Sequence, residues 1–202
     1  PDLMSAHNHV MKKFGHPTKK LGDIKSLAGK GAWLMMQRSF KKEVTDENIK
    51  NEMTKEFIDY YSKNIANNSR PFEGLFNFLD WAKSKNISMA VCTNKQERLA
   101  IDLLKKLNLF NYFEFVAGSD TFNYNKPDPR HLTDVVEIIG GDLKKTIMVG
   151  DSEVDEMAAT NAKIPFILVA DGYTEKTVEQ IKHDALIKDY VGFEKIISRF
   201  LW

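Results

Sequence analysis

Three short clusters in this sequence combine residue types that handle phosphate and divalent cations. In Val91-Cys92-Thr93-Asn94 a hydroxyl and an amide directly follow an apolar run. Thr93 and the backbone N–H groups after it could cradle phosphate oxygens, because successive N–H groups in a turn make a concave anion site. A plain Thr/Asn turn capping the next helix explains the same residues. In Asn125-Lys126-Pro127-Asp128-Pro129 a lysine precedes a stiff Pro-x-Pro segment, which could hold its charge toward a fixed anion. A solvated lysine before a helix-starting proline is the plainer account. In Met148-Val149-Gly150-Asp151-Ser152-Glu153-Val154-Asp155 an apolar run ends in Gly-Asp, and a second aspartate follows four residues later. Two carboxylates at that spacing form a hard oxygen site suited to Mg²⁺. Ser152 and Asp155 also fit the Ser-x-x-Asp form of a helix capping box, so Asp155 has a structural alternative. Asp151 has no such helical role and needs a partner of its own.

The elements that must position these clusters come in two styles. Residues 1–68 show helical spacing only. Leu3, His7, Val10, Met11 and Phe14 share one face, with Gly15 as a stop. Trp33, Leu34, Met36, Gln37 and Phe40 mark a second helix after Gly31. Ile49, Met53, Phe57, Tyr60, Tyr61 and Ile65 mark a third, opened by the capping side chains of residues 45–48. The polar stretch 67–71 ends in proline and reads as a linker. Beyond it, short β-branched runs at 87–93, 113–117, 146–149 and 165–169 alternate with helical patterns near 74–84, 96–107, 129–139 and 153–162. Buried strands joined by helices predict a doubly wound, parallel α/β sheet, whose binding crevice lies at the carboxyl ends of the strands. All three clusters fall at such ends or in the loops beside them.

Bulk composition narrows the function. Apolar residues make up 43% of the 202 positions, enough for a packed core, and the formal net charge is +1. That balance gives no electrostatic reason to expect nucleic acid or an anionic membrane surface. No apolar run approaches the roughly 18 residues needed to span a bilayer, and no signal peptide opens the chain. The single cysteine, Cys92, excludes an intrachain disulfide framework and suits a reducing compartment, so a cytoplasmic location is expected. Within an apolar run, Cys92 reads as a core thiol. His7 and His9 lie two apart on a helix and face different ways, so they are not a metal pair.

Taken in order, strand–Thr93–Asn94, Lys126 and strand–Gly150-Asp151-x-x-x-Asp155 resemble the second, third and fourth motifs of the haloacid dehalogenase-like superfamily. The stretches 126–132, 28–33 and 171–175 are similar to its phosphoglycolate phosphatase branch. The resemblance covers essentially the whole chain. It implies a Rossmann-like core at residues 69–202 and a small helical cap domain at residues 1–68. It implies a Mg²⁺-dependent phosphomonoester hydrolase working through an aspartyl-phosphate intermediate. Thr93, Asn94 and Lys126 would bind phosphate and Asp151 and Asp155 the metal. The substrate would be a small phosphorylated metabolite such as 2-phosphoglycolate, with Lys30 in the Gly29-Lys30-Gly31 turn a candidate contact for its carboxylate. A monomer or homodimer is expected.

The family's first motif, Asp-x-Asp-x-Thr, carries the nucleophile and the acid/base aspartate, and it does not occur among the 202 residues. Asp2 opens a helix instead of ending a strand and is no substitute. The expectation is an amino-terminal truncation that removes a central strand between those ending at Thr93 and Asp151, leaving this chain inactive and two edges unpaired. The rival expectations are a non-catalytic binder of phosphorylated ligands on the same fold, and a sugar-phosphate mutase on that scaffold. A dehalogenase would not need the paired carboxylates.

Overall fold

The computed structural model describes residues 1–20, 22–23, 32–39, 46–170, 172, 174 and 176–200. Its contacts divide the chain into two compact units, Pro1–Arg70 with Tyr173–Glu175, and Pro71–Gly172 with Lys176–Trp202. No helix among the described residues is long and apolar enough to cross a membrane.

The first unit includes the helices α1 (Asp2–Lys13), α2 (Ala32–Ser39) and α3 (Glu47–Lys63). Ala6, His7, Val10 and Met11 form the buried stripe of α1, which packs on the α3 face carrying Met53, Phe57 and Tyr61. Met35 and Met36 of α2 are buried as well. Each such apolar side chain contributes roughly 1.5–3 kcal/mol when removed from water. The chain turns away after α1 at Gly15, whose φ of 76° lies in the left-handed region that glycine enters without a Cβ clash. Asp46 caps α3 by accepting a 2.8 Å hydrogen bond from the Asn48 N–H. His7 and His9 do face apart: His7 meets Ser39, while His9 bonds Glu56 and stacks on Tyr60.

The second unit alternates helices and strands: α4 (Leu75–Ser84), β1 (Ala90–Cys92), α5 (Glu97–Lys106), β2 (Phe115–Ala117), α6 (Arg130–Ile138), β3 (Met148–Gly150), α7 (Glu153–Ala162), β4 (Phe166–Val169), β5 (Ala185–Ile187) and α8 (Phe193–Ile197). All strand pairs are parallel. The predicted runs 87–93, 113–117 and 165–169 contain β1, β2 and β4, and the run 146–149 overlaps β3, which extends one residue further to Gly150. The fifth strand was not predicted, because three residues between Asp184 and Lys188 are too few for a period to show.

Phe166-Ile167-Leu168-Val169 is buried at every position, and the reason is its central place in β3–β4–β5. Alternate side chains leave opposite faces of a strand. Phe166 and Leu168 pack with Leu132, Ala158 and Ala159 from α6 and α7. Ile167 and Val169 pack with Phe193 and Ile197 of α8, against Phe78 and Trp81 of α4. Helices thus cover both faces of this ladder, as a doubly wound sheet requires.

The strands do not form one sheet. Among the described residues they form two ladders, β1–β2 and β3–β4–β5. Among the described residues β1 pairs only with β2 and β3 only with β4, so there each keeps one edge without a strand partner. Both are only half-buried along their length.

Candidate active site

The carboxyl ends of β1 and β3 are joined by one side chain. Lys126, 8% exposed, comes from the loop before α6. Its Nζ donates to the Cys92 carbonyl at 2.6 Å, at the end of β1, and to Asp155 Oδ1 at 2.5 Å, in the first turn of α7 after β3. A buried ammonium needs such acceptors, because its desolvation is offset only by a paired and hydrogen-bonded charge.

Asp155 is itself 4% exposed. Its second oxygen, Oδ2, accepts from the Asp151 N–H (3.1 Å), the Ser152 N–H (3.1 Å) and the Ser152 hydroxyl (2.7 Å). This is the capping box read from the sequence, with Ser152 as the cap of α7. Burial pushes the Asp155 carboxyl upward, but the charge and hydrogen bond of Lys126, with the bonds from Ser152 and Asp151, outweigh it and hold it below the ordinary value.

On the β1 side, the Thr93 N–H continues the ladder by donating to Ala117 O at 2.9 Å. The Thr93 Oγ accepts the Lys95 N–H at 3.1 Å, which leaves the hydroxyl hydrogen to donate elsewhere. Asn94 turns its amide to the lysine loop, donating from Nδ2 to Lys126 O at 2.9 Å. Its Oδ1 is buried with no hydrogen-bond partner.

Asp151 stands at the mouth of β3 with two glycines closing on it and its neighbour. A Cβ on Gly150 would lie 2.5 Å from the Cβ of Asp155. A Cβ on Gly172, in the loop after β4, would lie 2.4 Å from the Cβ of Asp151 and 2.7 Å from its Oδ2. Only a bare backbone fits at either position. Gly172→Ala is therefore expected to lower stability by about 1–3 kcal/mol through overpacking. Urea denaturation checks this, and an unchanged midpoint would mean that the loop moves aside freely.

The architecture and these motifs have counterparts elsewhere. The family model for haloacid dehalogenase-like hydrolases matches residues 1–169. The chain belongs to that family. It is 38% identical to a phosphoglycolate phosphatase of Agrobacterium fabrum, over 98% of this chain and 88% of that protein. It is 34% identical to the phosphoglycolate phosphatase of Caulobacter vibrioides, over 96% and 83%. Among solved structures, a predicted phosphoglycolate phosphatase from Haemophilus somnus superposes with a TM-score of 0.90 at 25% identity, covering 97% of this chain and 90% of that one. These similarities place the chain in the phosphatase branch of the haloacid dehalogenase-like hydrolases.

In this member of the family, Thr93, Asn94, Lys126, Asp151 and Asp155 are brought to one place. Lys30 lies outside the described residues. Of the two carboxylates expected to hold metal, Asp155 is taken up by Lys126 and the helix cap, and Asp151 is the one at the strand mouth. Among the described residues no group of three His, Cys, Asp or Glu side chains is arranged to hold a metal ion.

Sequence reasoning missed the bracing around Lys126. Arg130 grips the Asp128 carboxylate from Nε (3.0 Å) and Nη2 (2.7 Å) and lies over the Tyr124 ring at 4.3 Å. The Tyr124 hydroxyl donates to Asp134. Arg130 holds the Asp128 carboxyl down at about 2. His131 is fully buried and donates from Nε2 to Gly118 O at 3.1 Å, leaving Nδ1 without a partner. Aromatic and charged residues flanking a lysine at two and four positions were the available signal, but their meeting depends on how the turn closes. Cys92, placed in the core from sequence, has its thiol pushed up to about 11 by burial, which suits an unreactive structural role.

Proposed function

We propose that this chain supplies the phosphate- and metal-binding part of a Mg²⁺-dependent phosphomonoesterase for a small phosphorylated acid, with 2-phosphoglycolate the best-supported substrate. The observation that carries this is the Lys126 ammonium held between Cys92 O and Asp155, with Thr93 and Asp151 at the same strand ends. The names of the Agrobacterium and Caulobacter relatives support the substrate.

In this reading the Thr93 hydroxyl donates to a phosphoryl oxygen. Lys126 offsets the charge that gathers on the transferring group, already oriented before substrate arrives. Asp155 holds the lysine's ammonium in place through the 2.5 Å bond from Nζ to Oδ1. Asp151 offers one hard oxygen to Mg²⁺. That fits an ion which takes one or two carboxylates and fills its remaining positions with water and substrate phosphate. When bound, Mg²⁺ would offset repulsion between an attacking carboxylate and the phosphate. The attacking carboxylate would come from an Asp-x-Asp-x-Thr strand, absent from these 202 residues, lying parallel between the open edges of β1 and β3. Its carboxyl end would then emerge beside Thr93, Lys126 and Asp151, and its aspartate would form and later release an aspartyl phosphate. Residues 1–68 are read as the substrate-selecting cap, with Lys30 as its candidate contact for the substrate carboxylate.

The test pairs intact mass with phosphate release from 2-phosphoglycolate, with and without Mg²⁺. The expected result is Mg²⁺-dependent turnover only in preparations whose mass includes an Asp-x-Asp-x-Thr strand, with Lys126→Met lowering it about 10²–10³-fold. Turnover by the 202-residue chain itself would place the nucleophile among its own residues and overturn the mechanism. Phosphate binding without turnover in the longer chain would favour a non-catalytic binder.

A further inference from the structure

Asn94 sits beside the phosphate-binding threonine, and the obvious role for its amide is a direct bond to a phosphoryl oxygen. The hydrogen bonds point elsewhere. Lys126 O can only accept, so the atom facing it at 2.9 Å is Nδ2 and the amide orientation is determined. The atom left over, Oδ1, is an acceptor, buried and without a partner. An acceptor repels the oxygens of a phosphoryl group, and one of the two Nδ2 hydrogens is already committed to Lys126 O, which leaves at most the other for a ligand. Meanwhile the carbonyl that Asn94 grips belongs to the residue whose ammonium bridges Cys92 O and Asp155.

We infer that Asn94 is a positioning residue that acts through Lys126, bracing the lysine's backbone so that its ammonium stays between β1 and α7, and is not itself a ligand of the phosphoryl group. The brace joins the loop after β1 to the loop before α6 across 32 residues of sequence. It works with two contacts on the side chain, so the lysine is held at both ends. A long side chain carries roughly 2 kcal/mol of rotamer entropy, and fixing its root as well as its tip keeps the charge aimed before ligand arrives. The inference rests on the reading of Lys126 as the phosphate-binding cation.

Two measurements on the full 202-residue chain test it. The first is a double-mutant cycle on inorganic phosphate binding, by calorimetry, with Asn94→Ala, Lys126→Met and the double variant. If Asn94 works only through the lysine, Asn94→Ala weakens binding about tenfold in the lysine-containing protein and by less than about twofold once Lys126 is methionine, a coupling within the range for residues in one hydrogen-bond network. Equal weakening in both backgrounds would make Asn94 an independent ligand and overturn the inference. The second needs no ligand: the ¹H–¹⁵N resonance of the Lys126 ammonium, protected by its two acceptors. Asn94→Ala should shift it or speed its exchange with water. An unchanged Lys126 signal would overturn the brace. If the unsubstituted chain binds no phosphate, the functional reading fails on its own and the ammonium spectrum still decides the role of Asn94.

Discussion

Asp155→Ala is expected to lower the unfolding free energy of the α/β unit by about 3–5 kcal/mol, the cost of leaving a buried ammonium without its counter-ion. The Lys126 side chain is 8% exposed, and among the described residues its one carboxylate partner is Asp155 and the other acceptor of its Nζ is Cys92 O. The substitution also removes the capping box of α7, for about 1 kcal/mol. Asp155→Ala combined with Lys126→Met should return to within about 1–2 kcal/mol of the parent, since exchanging a buried ion pair for apolar groups is often close to neutral. Urea unfolding of the three proteins gives the comparison. A loss below about 1 kcal/mol in the single variant would mean that water reaches Lys126 and that the pair is not buried in solution. The pair also sets an acid limit. The folded carboxyl of Asp155 lies below its ordinary value, so its contribution is complete above the unfolded value of about 3.9 and disappears as pH falls through the folded one.

The second large effect belongs to the helical unit. Asp2→Ala should destabilise that unit by about 2–4 kcal/mol, because several donors to a charged acceptor lose it together. Asp2 is 2% exposed. Its Oδ1 accepts from the Asn68 N–H (3.0 Å) and Nδ2 (2.9 Å), and its Oδ2 from the Ser69 N–H (2.8 Å) and hydroxyl (2.7 Å). The clasp closes a loop of 66 residues at its two ends, next to the boundary at Arg70. Asp2→Asn would keep the shape but turn an N–H₂ group toward one pair of donors, so it should recover little. Hydrogen exchange at the Asn68 and Ser69 amides reads the effect, and unchanged protection in either variant would show that the clasp is dispensable. Burial pushes the Asp2 carboxyl up, yet the bonds from Ser69 and Asn68 hold it below its ordinary value. Its contribution is therefore full above the unfolded value and fades as pH falls through the folded one.

These two carboxylates show what could be read in the chain and what could not. Asp155 was visible as a residue with two possible roles, cap or metal ligand. Its cap role is local, three residues from Ser152, and short-range spacing reveals it. Its union with Lys126 spans 29 residues and depends on β1 and β3 bringing their ends to the same side. Asp2 was visible only as the start of a helix, since nothing near it in sequence hints at Asn68. Asn94 was read from its type and place after a strand, and the amide then proved to be turned onto Lys126 O. Gly172 was read only as part of the stretch 171–175, and its need for space carried no local signal, because that need exists only where another backbone passes close by.

By itself, the sequence determined the helical character of the described residues within 1–68, the parallel α/β alternation after the linker, four of the five strands among the described residues, and which residue types gather at the strand ends. These follow from periodicity and turn chemistry, interactions that reach no further than a few residues along the chain. The tertiary structure decided the partners: lysine to aspartate, amide to carbonyl, and the division of the strands into two ladders with facing work for Lys126. Those depend on contacts between segments 29 to 66 residues apart. Such contacts are set by packing and by competition for buried donors and acceptors, which no local pattern records.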